Sequence, residues 1–399
     1  MVHSPWSSVF GQEGISAILM QVEANNPELQ AQTRLTTAQK LENRVANNLP
    51  DPTLSYAHVW DRDDSSVTEG ELIVSQSFDF PTLYATRSRM NRLRSAALDH
   101  EAEARRQDIL LQTKLVCLDL IHLQQVGALL LERLSCAEQL AEIYRRRLET
   151  GDANVLETNK INLELLNVRT EARMNQVALT NKLKELTALN GGQSLAPGRG
   201  LPGYGSTAVT IPGLTDYPAA PLPADFGAVC TQLLAEDPTL QALQSETDAL
   251  SRQLSASRQG WLPRLELGYR RNTESGHPMN GVVVGFSIPL FENRGKVRHV
   301  RDLQQSATYG QESARLQASS TLWSLYEEAS SLHQAMQEYE NTLASQHDLD
   351  LLRQALDGGE ISLTDYLLEA SGVYESQENL LEIKRQYHVA MARIYKCRL

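Results

Sequence analysis

The chain lacks any run of eighteen or more apolar residues, so a membrane-spanning helix of the ordinary kind is not written into it. It is also short of positive charge. A net charge of −12 excludes nucleic acid as a partner, because a phosphate backbone needs a concentrated basic surface, and the triplet Arg145, Arg146 and Arg147 is too short to supply one. Cysteine is scarce: Cys117, Cys136, Cys230 and Cys397 have no C-x-x-C spacing, which excludes a disulfide framework and leaves them as small buried hydrophobes. The histidines fall into neither H-x-x-x-H nor H-E-x-x-H spacing, so His58, His122 and His333 read as surface or seam residues, and no G-x-x-x-x-G-K-[ST] loop occurs. The chain is therefore read as a non-enzyme with no metal set and no cofactor. Its opening, M-V-H-S-P-W-S-S-V-F, has no basic region followed by an apolar core, so no secretory signal is read there, and no nearby cysteine argues for a lipid anchor. Export would require a leader outside this sequence.

What is present is alternation. In Gly281 to Leu290, Val282, Val284, Phe286, Ile288 and Leu290 fall on one side of an extended chain, and Gly281, Val283, Gly285 and Ser287 on the other. About ten residues with one oily and one small face suit a tilted transmembrane β-strand. Leu54, Tyr56, His58 and Trp60 alternate in the same way with Thr53, Ser55, Ala57 and Val59, as do Leu72, Val74, Gln76 and Phe78 with Ile73, Ser75 and Ser77. The link D-R-D-D-S-S-V-T-E-G between these two runs reads as an aqueous loop, as does N-T-E-S-G-H-P-M-N between the later pair.

The remainder is helical. From Pro81 to about Thr150 the pattern is nearly unbroken, a rod of roughly 100 Å at 1.5 Å per residue. After Gly151-Asp152, Ile161, Leu165, Val168, Ala172, Asn175, Leu179, Lys182, Leu186 and Leu189 keep a four-three spacing, and Tyr366, Ala370, Val373, Gln377, Leu380, Lys384, Tyr387, Met391 and Ile394 repeat it near the end; both predict coiled-coil seams.

The chain is duplicated. Asn26-Pro27-Glu28-Leu29-Gln30 returns as Asp237-Pro238-Thr239-Leu240-Gln241, and Leu49-Pro50 with Leu54 and Tyr56 returns as Leu262-Pro263 with Leu267 and Tyr269, an offset of about 210 residues. The expected divisions are an N-terminal segment 1–12; a first repeat 13–190, with strands at about 53–60 and 71–79 and a helical hairpin at about 82–190; a Gly/Pro-rich linker or equatorial belt 191–223; and a second repeat 224–399, with strands at about 264–272 and 281–290 and a hairpin at about 293–396. Two widely separated β-hairpins, each without a mate, would expose backbone edges that lipid does not tolerate. Four strands cannot close around a water-filled lumen, so several copies are expected to share one barrel, with Ser75, Ser77, Gly285 and Ser287 facing inward. The alternative is a soluble coiled-coil scaffold whose seams bind partner helices and whose hairpins are caps.

The duplicated N-P-x-L-Q start, the two strand pairs, and the turns Y-R-R-R-L-E-T-G-D-A-N-V-L-E-T-N and L-R-Q-A-L-D-G-G-E-I-S-L-T-D-Y-L-L-E-A resemble the TolC-like outer-membrane efflux proteins over nearly the whole chain, from Gly14 to Lys396. N-P-E-L-Q and F-D-F-P lean toward the heavy-metal-efflux branch. The resemblance implies a mainly α fold with a transmembrane β-barrel contribution, a homotrimer sharing a twelve-stranded barrel in the Gram-negative outer membrane, and a helical tunnel in the periplasm. It further implies passive conduction from an inner-membrane pump of the resistance-nodulation-division type through a periplasmic adaptor. Carried over by position, Gly151 and Asp152 with Ala153, and Gly358, Gly359 and Glu360 with Ile361, would be the adaptor-docking tips. Asp365, with Glu369 one turn later, falls where the family narrows its pore, and Arg147 with Arg145 and Arg146 would latch neighbouring hairpins. The stretch Glu360-Ile361-Ser362 departs from the better-known members in carrying no arginine.

Overall fold

The computed structural model describes residues 7–63, 68–194, 214–274, 277–289, 291, 293–345 and 348–399. In chain order the elements are α1 (Ser7–Asn25), α2 (Pro27–Val45), β1 (Thr53–Trp60), β2 (Thr68–Phe78), α3 (Pro81–Thr150), α4 (Val155–Leu189), α5 (Phe226–Glu236), α6 (Pro238–Arg258), β3 (Arg264–Glu274), β4 (His277–Ser287), α7 (Lys296–Ser345), α8 (Asp348–Asp357) and α9 (Leu363–Ile394). The long helix expected from about 293 to 356 is described as α7 and α8; residues 346 and 347 between them lie outside the described residues, as do residues 1–6 of the N-terminal segment and most of the linker, 195–213.

The two Asx-Pro joints show why the repeated motif has its residues. Proline at the first helical position loses nothing, because that N–H has no helical acceptor. The residue before it caps: the Asn26 side chain accepts from the Glu28 and Leu29 amides at 2.9 and 3.1 Å, and Asp237 accepts from Thr239 N at 2.8 Å. The glutamine closing each motif then reaches back across the joint, Gln30 to the Ala24 carbonyl and Gln241 to that of Ala235.

The chain forms two compact units, and neither is one of the sequence repeats. One comprises residues 1–30, 105–233 and 319–399; the other comprises 31–104 and 234–318. Each draws segments from both halves of the chain.

The first unit is helical, with two apolar clusters. Ile15, Ile18 and Val22 of α1 pack with Ile109, Val116, Cys117, Leu118, Leu120 and Ile121 of α3, Leu179 and Leu186 of α4, and Leu214. That part of α3 contains a stretch apolar and long enough to cross a membrane by composition alone, but Val116 to Leu118, Leu120 and Ile121 are buried in this protein core. Burial also pushes the Cys117 thiol up to about 12, and all four cysteines are free. The four-three seam of α4 faces inward along its whole length: Ile161, Val168, Leu179 and Leu186 are buried and every other seam position is partly so. Residues 214–223, without regular structure, have their carbonyls met by side chains instead, through Gln124 to Leu214 O, Tyr387 to Ala220 O and Tyr326 to Pro223 O.

In the second unit the four strands form one antiparallel sheet in the order β1-β2-β3-β4. This corrects the expectation of two hairpins without mates. β2 and β3, from opposite halves of the chain, pair from Glu69↔Glu274 to Phe78↔Leu265, so only β1 and β4 keep a free edge. The approach is close at one point: a Cβ on Gly268 would stand 2.8 Å from Val74 O and 2.9 Å from Ser75 Cβ, and Ser75 is buried. Both loops are shorter than the sequence suggests. β2 begins at Thr68, inside the stretch read as aqueous loop, because Thr68 to Gly70 find partners in β1. The second hairpin continues to Glu274↔His277, leaving residues 275 and 276 outside the described residues. At its other end β4 stops at Ser287, one pair beyond Leu265↔Phe286, before Pro289, which has no N–H to give a ladder; Leu290 lies outside the described residues.

Candidate functional site: an amphipathic sheet and paired helical tips

Because side chains alternate along each strand, the register sorts the sheet into two faces. Leu54 pairs with Val74, Val74 with Tyr269 and Tyr269 with Val282; Gln76 pairs with Leu267 and Leu267 with Val284; Leu265 pairs with Phe286. These side chains share one face, and all but the half-buried Gln76 and Leu265 are open to the surroundings: Leu54 is 71% exposed, Val282 81% and Phe286 66%. Aromatic rings border this patch. Tyr56 and Trp60 lie toward the turns, while Trp261 and Phe291, both exposed, lie just outside the helix-proximal ends of β3 and β4.

The opposite face is polar and internally matched. Arg270 pairs with Glu71 at 2.6 Å, Asn272 donates to Glu69 at 2.6 Å, Arg264 pairs with Asp79 at 3.2 Å, and the Thr53 and Ser75 hydroxyls meet at 2.8 Å. One sheet thus has a wall suited to hydrocarbon and a wall suited to water. Ser75, Ser77, Gly285 and Ser287 all occupy register positions on the polar face.

In the first unit the two helix-to-helix turns are built alike. At the end of α3, Gly151 takes φ +84°, its N–H donates to Leu148 O, and Asp152 N donates to Arg147 O at 2.8 Å; at the end of α8, Gly359 takes φ +72°, donates to Leu356 O, and Glu360 N donates to Ala355 O at 2.8 Å. Each is a left-handed closure that satisfies the last carbonyls of its helix. Three residues after each of these glycines a new helix is capped. The Asn154 side chain accepts from Leu156 N at 2.7 Å, with Glu157 returning a bond to Asn154 N; Ser362 Oγ accepts from Asp365 N, and the Asp365 carboxylate accepts from Ser362 N and Oγ at 3.3 and 2.6 Å.

The two tips share an apolar cluster. Leu140, Tyr144, Ile161, Leu356, Leu363, Tyr366, Ala370 and Tyr374 are buried together, with Ala153 and Ile361 packed at the margin, and Lys160 donates to Thr364 Oγ1 at 2.8 Å. Cys136 Sγ lies 3.4 Å from the Tyr366 hydroxyl, and burial, reinforced by that neighbour, pushes the Tyr366 phenol up. Arg133 joins α3 to α4 through Glu164 at 2.6 Å and Glu171 at 3.1 Å, with its guanidinium 5.5 Å from the Tyr374 ring centre.

The structure therefore sets the turns at Gly151-Asp152 and Gly358-Gly359-Glu360 on helices that share one apolar cluster, with these turn residues themselves outside it. Asp365 and Glu369 are exposed on α9, one turn apart. Arg147 lies over the Tyr144 ring at 5.5 Å. Among the described residues no ion pair within the chain links Arg147 to Asp365 or Glu369; Arg145 pairs with Glu142 and Glu149, and Arg146 with Glu142, all on α3. Arg145 first and then Arg146 hold the Glu142 carboxyl down at about 2. Asp365 has a second occupation beyond the one expected from sequence, as the helix-capping partner that matches Glu157. The signals were N-x-x-E and S-x-x-D immediately ahead of each helix.

Residues 229–397 match the family model of the outer membrane efflux protein. Along nearly its whole length the chain is similar in fold to solved outer-membrane channels. A structure of CusC, described in terms of folding and transmembrane channel formation, aligns with a TM-score of 0.78 at 17% identity over 96% of this chain and 92% of that one. The CmeC outer membrane channel of Campylobacter jejuni gives 0.76 at 16% over 98% and 87%, and the outer membrane protein VceC of Vibrio cholerae gives 0.74 at 15% over 96% and 95%. No curated protein sequence is significantly similar to the chain.

Proposed function

We propose that this chain, whose residues 229–397 belong to the outer membrane efflux protein family and whose fold is that of outer-membrane channels, is the protomer of the outer-membrane channel of a tripartite efflux system. The observation that carries the reading is the sheet: four strands, an exposed apolar face, a charged face and two free edges. In water the apolar face would drive aggregation and the edges would recruit other strands. Closure with further copies removes both difficulties, because the edges of β1 and β4 pair between chains, lipid covers one face and water fills the space behind the other. A homotrimer gives twelve strands, wide enough for a lumen that four strands could never enclose.

In this reading the channel is passive. An inner-membrane pump, of the resistance-nodulation-division type, supplies the energy, and a periplasmic adaptor docks on the tips at Gly151-Asp152 and Gly358-Gly359-Glu360. Asp365 and Glu369 narrow the pore, and Arg147 acts at the same constriction between chains. A soluble scaffold finds no support in a sheet with a bare apolar face. Extraction in detergent, sizing, and single-channel recording in planar bilayers test the proposal: a trimer with stepwise conductance is expected. A soluble monomer without conductance would sink it.

A further inference from the structure

The apolar face of the sheet carries one arginine. β3 contains three, and two of them, Arg264 and Arg270, lie on the polar face and pair with Asp79 and Glu71. Arg271 is displaced by one residue onto the other face, opposite Leu72 on β2 and Asn280 on β4. Every acid in the four strands, Glu69, Glu71, Glu266 and Glu274, holds a register position on the polar face, so the Arg271 face offers no carboxylate among the described residues. Arg271 is exposed.

Its height on that face is informative. Counting from the helix-connected ends, β3 presents Leu265, Leu267 and Tyr269 before Arg271 and Thr273, and β4 presents Phe286, Val284 and Val282 before Asn280 and Pro278. Arg271 therefore stands just past the apolar patch on the side of the turns, beside Tyr269, whose hydroxyl donates to Asn280 Oδ1 at 2.6 Å. The first repeat holds a second basic side chain at the corresponding place. His58 is two residues beyond Tyr56 as Arg271 is two beyond Tyr269, and its ring lies between those of Tyr56 and Trp60 at 6.4 and 6.0 Å.

A cation facing hydrocarbon is costly at mid-depth but nearly free at the interface, where its stem lies along apolar surface and its head reaches polar groups. Taking the outer-membrane reading above as premise, the turns lie on the outer side and Arg271 meets the headgroups of the outer leaflet. The geometry points to a binding site at Arg271, with Asn280 as the flanking polar group, for the phosphate of a phosphorylated glycolipid whose acyl chains cover Leu267, Tyr269, Val282 and Val284. A planar guanidinium suits phosphate because it offers two parallel N–H donors.

The test is native mass spectrometry of the full-length protein in detergent, titrated with diphosphorylated lipid A, with the same lipid stripped of phosphate, and with inorganic phosphate as competitor. The diphosphorylated lipid is expected to bind about fivefold tighter or more than the stripped one. Arg271→Gln should abolish that preference while leaving stripped-lipid binding intact, and Arg271→Lys should restore part of it. A preference that survives Arg271→Gln overturns the inference, as does inorganic phosphate competing as well as the lipid. Those results leave the membrane reading standing, because stripped lipid still reports the apolar belt. Failure of both lipids to bind a protein soluble without detergent removes the membrane reading and this site together.

Discussion

At the residue scale, Asp365 is asked to do two things. Its carboxylate accepts from Ser362 N and Oγ, and it is also the acid proposed to narrow the pore. The two roles separate experimentally. Ser362→Ala removes the cap at a cost of about 1 kcal/mol, and the amides at the start of α9 should exchange faster in a hydrogen-exchange measurement, with conductance unchanged. Asp365→Asn keeps an acceptor at the cap but removes the charge, so it should raise open probability in bilayer recordings if the acid narrows the pore. Unchanged gating in Asp365→Asn would leave only the capping role. His388 offers a pH-dependent case. It stacks on Tyr217 with ring centres 4.5 Å apart, and burial, then Lys114 and Lys384, push its pKa down to about 4. In the unfolded chain it titrates near 6.5, so between these values the unfolded state holds a proton that the folded state does not. Stability is complete above about pH 6.5 and declines as pH falls toward 4, by an amount on the order of 3 kcal/mol. Thermal midpoints at pH 7 and pH 4.5 should differ less in His388→Gln than in the parent.

At the element scale, the strands and seams were legible because their periods differ and each is long. Alternation at Leu54 to Trp60 and Gly281 to Phe286 predicts one face, and the four-three spacing of α4 predicts the buried stripe at Ile161, Val168, Leu179 and Leu186. Pairing between the halves was not legible. The partners Gln76 and Leu267 are far apart in the chain, and local pattern carries no information on which distant strand a free edge will meet. Thr68 to Gly70 likewise read as loop by composition and became strand through their partners. The caps are written in N-x-x-E and S-x-x-D, but an acid in a first helical turn serves charge and cap geometry alike, and the residue type does not separate the two. The β2–β3 seam gives this scale its test. Gly268→Val must force side-chain carbons against Val74 O and Ser75, and the sheet should lose cooperative assembly, read as loss of the trimer band in mild detergent. A normal trimer yield would show that the seam can spread.

At the scale of the molecule, the duplication predicts the joint that one chain cannot show. Tyr56 corresponds to Tyr269 and Ser55 to Gly268, while Ser75 in S-Q-S-F corresponds to Gly285 in G-F-S-I. Ser75 faces Gly268 across the internal seam, so Gly285 should face Ser55 of the neighbouring chain across the β4–β1 joint, again a small residue opposite a small residue. Ser55→Cys combined with Gly285→Cys should give chains linked into covalent trimers on a non-reducing gel. Val59→Cys with Gly285→Cys, offset by four residues, should not. Linking by the second pair and not the first would place the register elsewhere.

The seam between β2 and β3 also bears on how a ring of three is built. A closed ring of three such sheets has six places where a strand of one repeat meets a strand of the other kind. By carrying both repeats in one polypeptide, the protein makes three of those six meetings tethered events, whose effective concentration is set by the connecting chain and not by the number of molecules in the cell. Ring closure then becomes a three-body encounter where separate repeats would need six, and its dependence on dilution is correspondingly shallow.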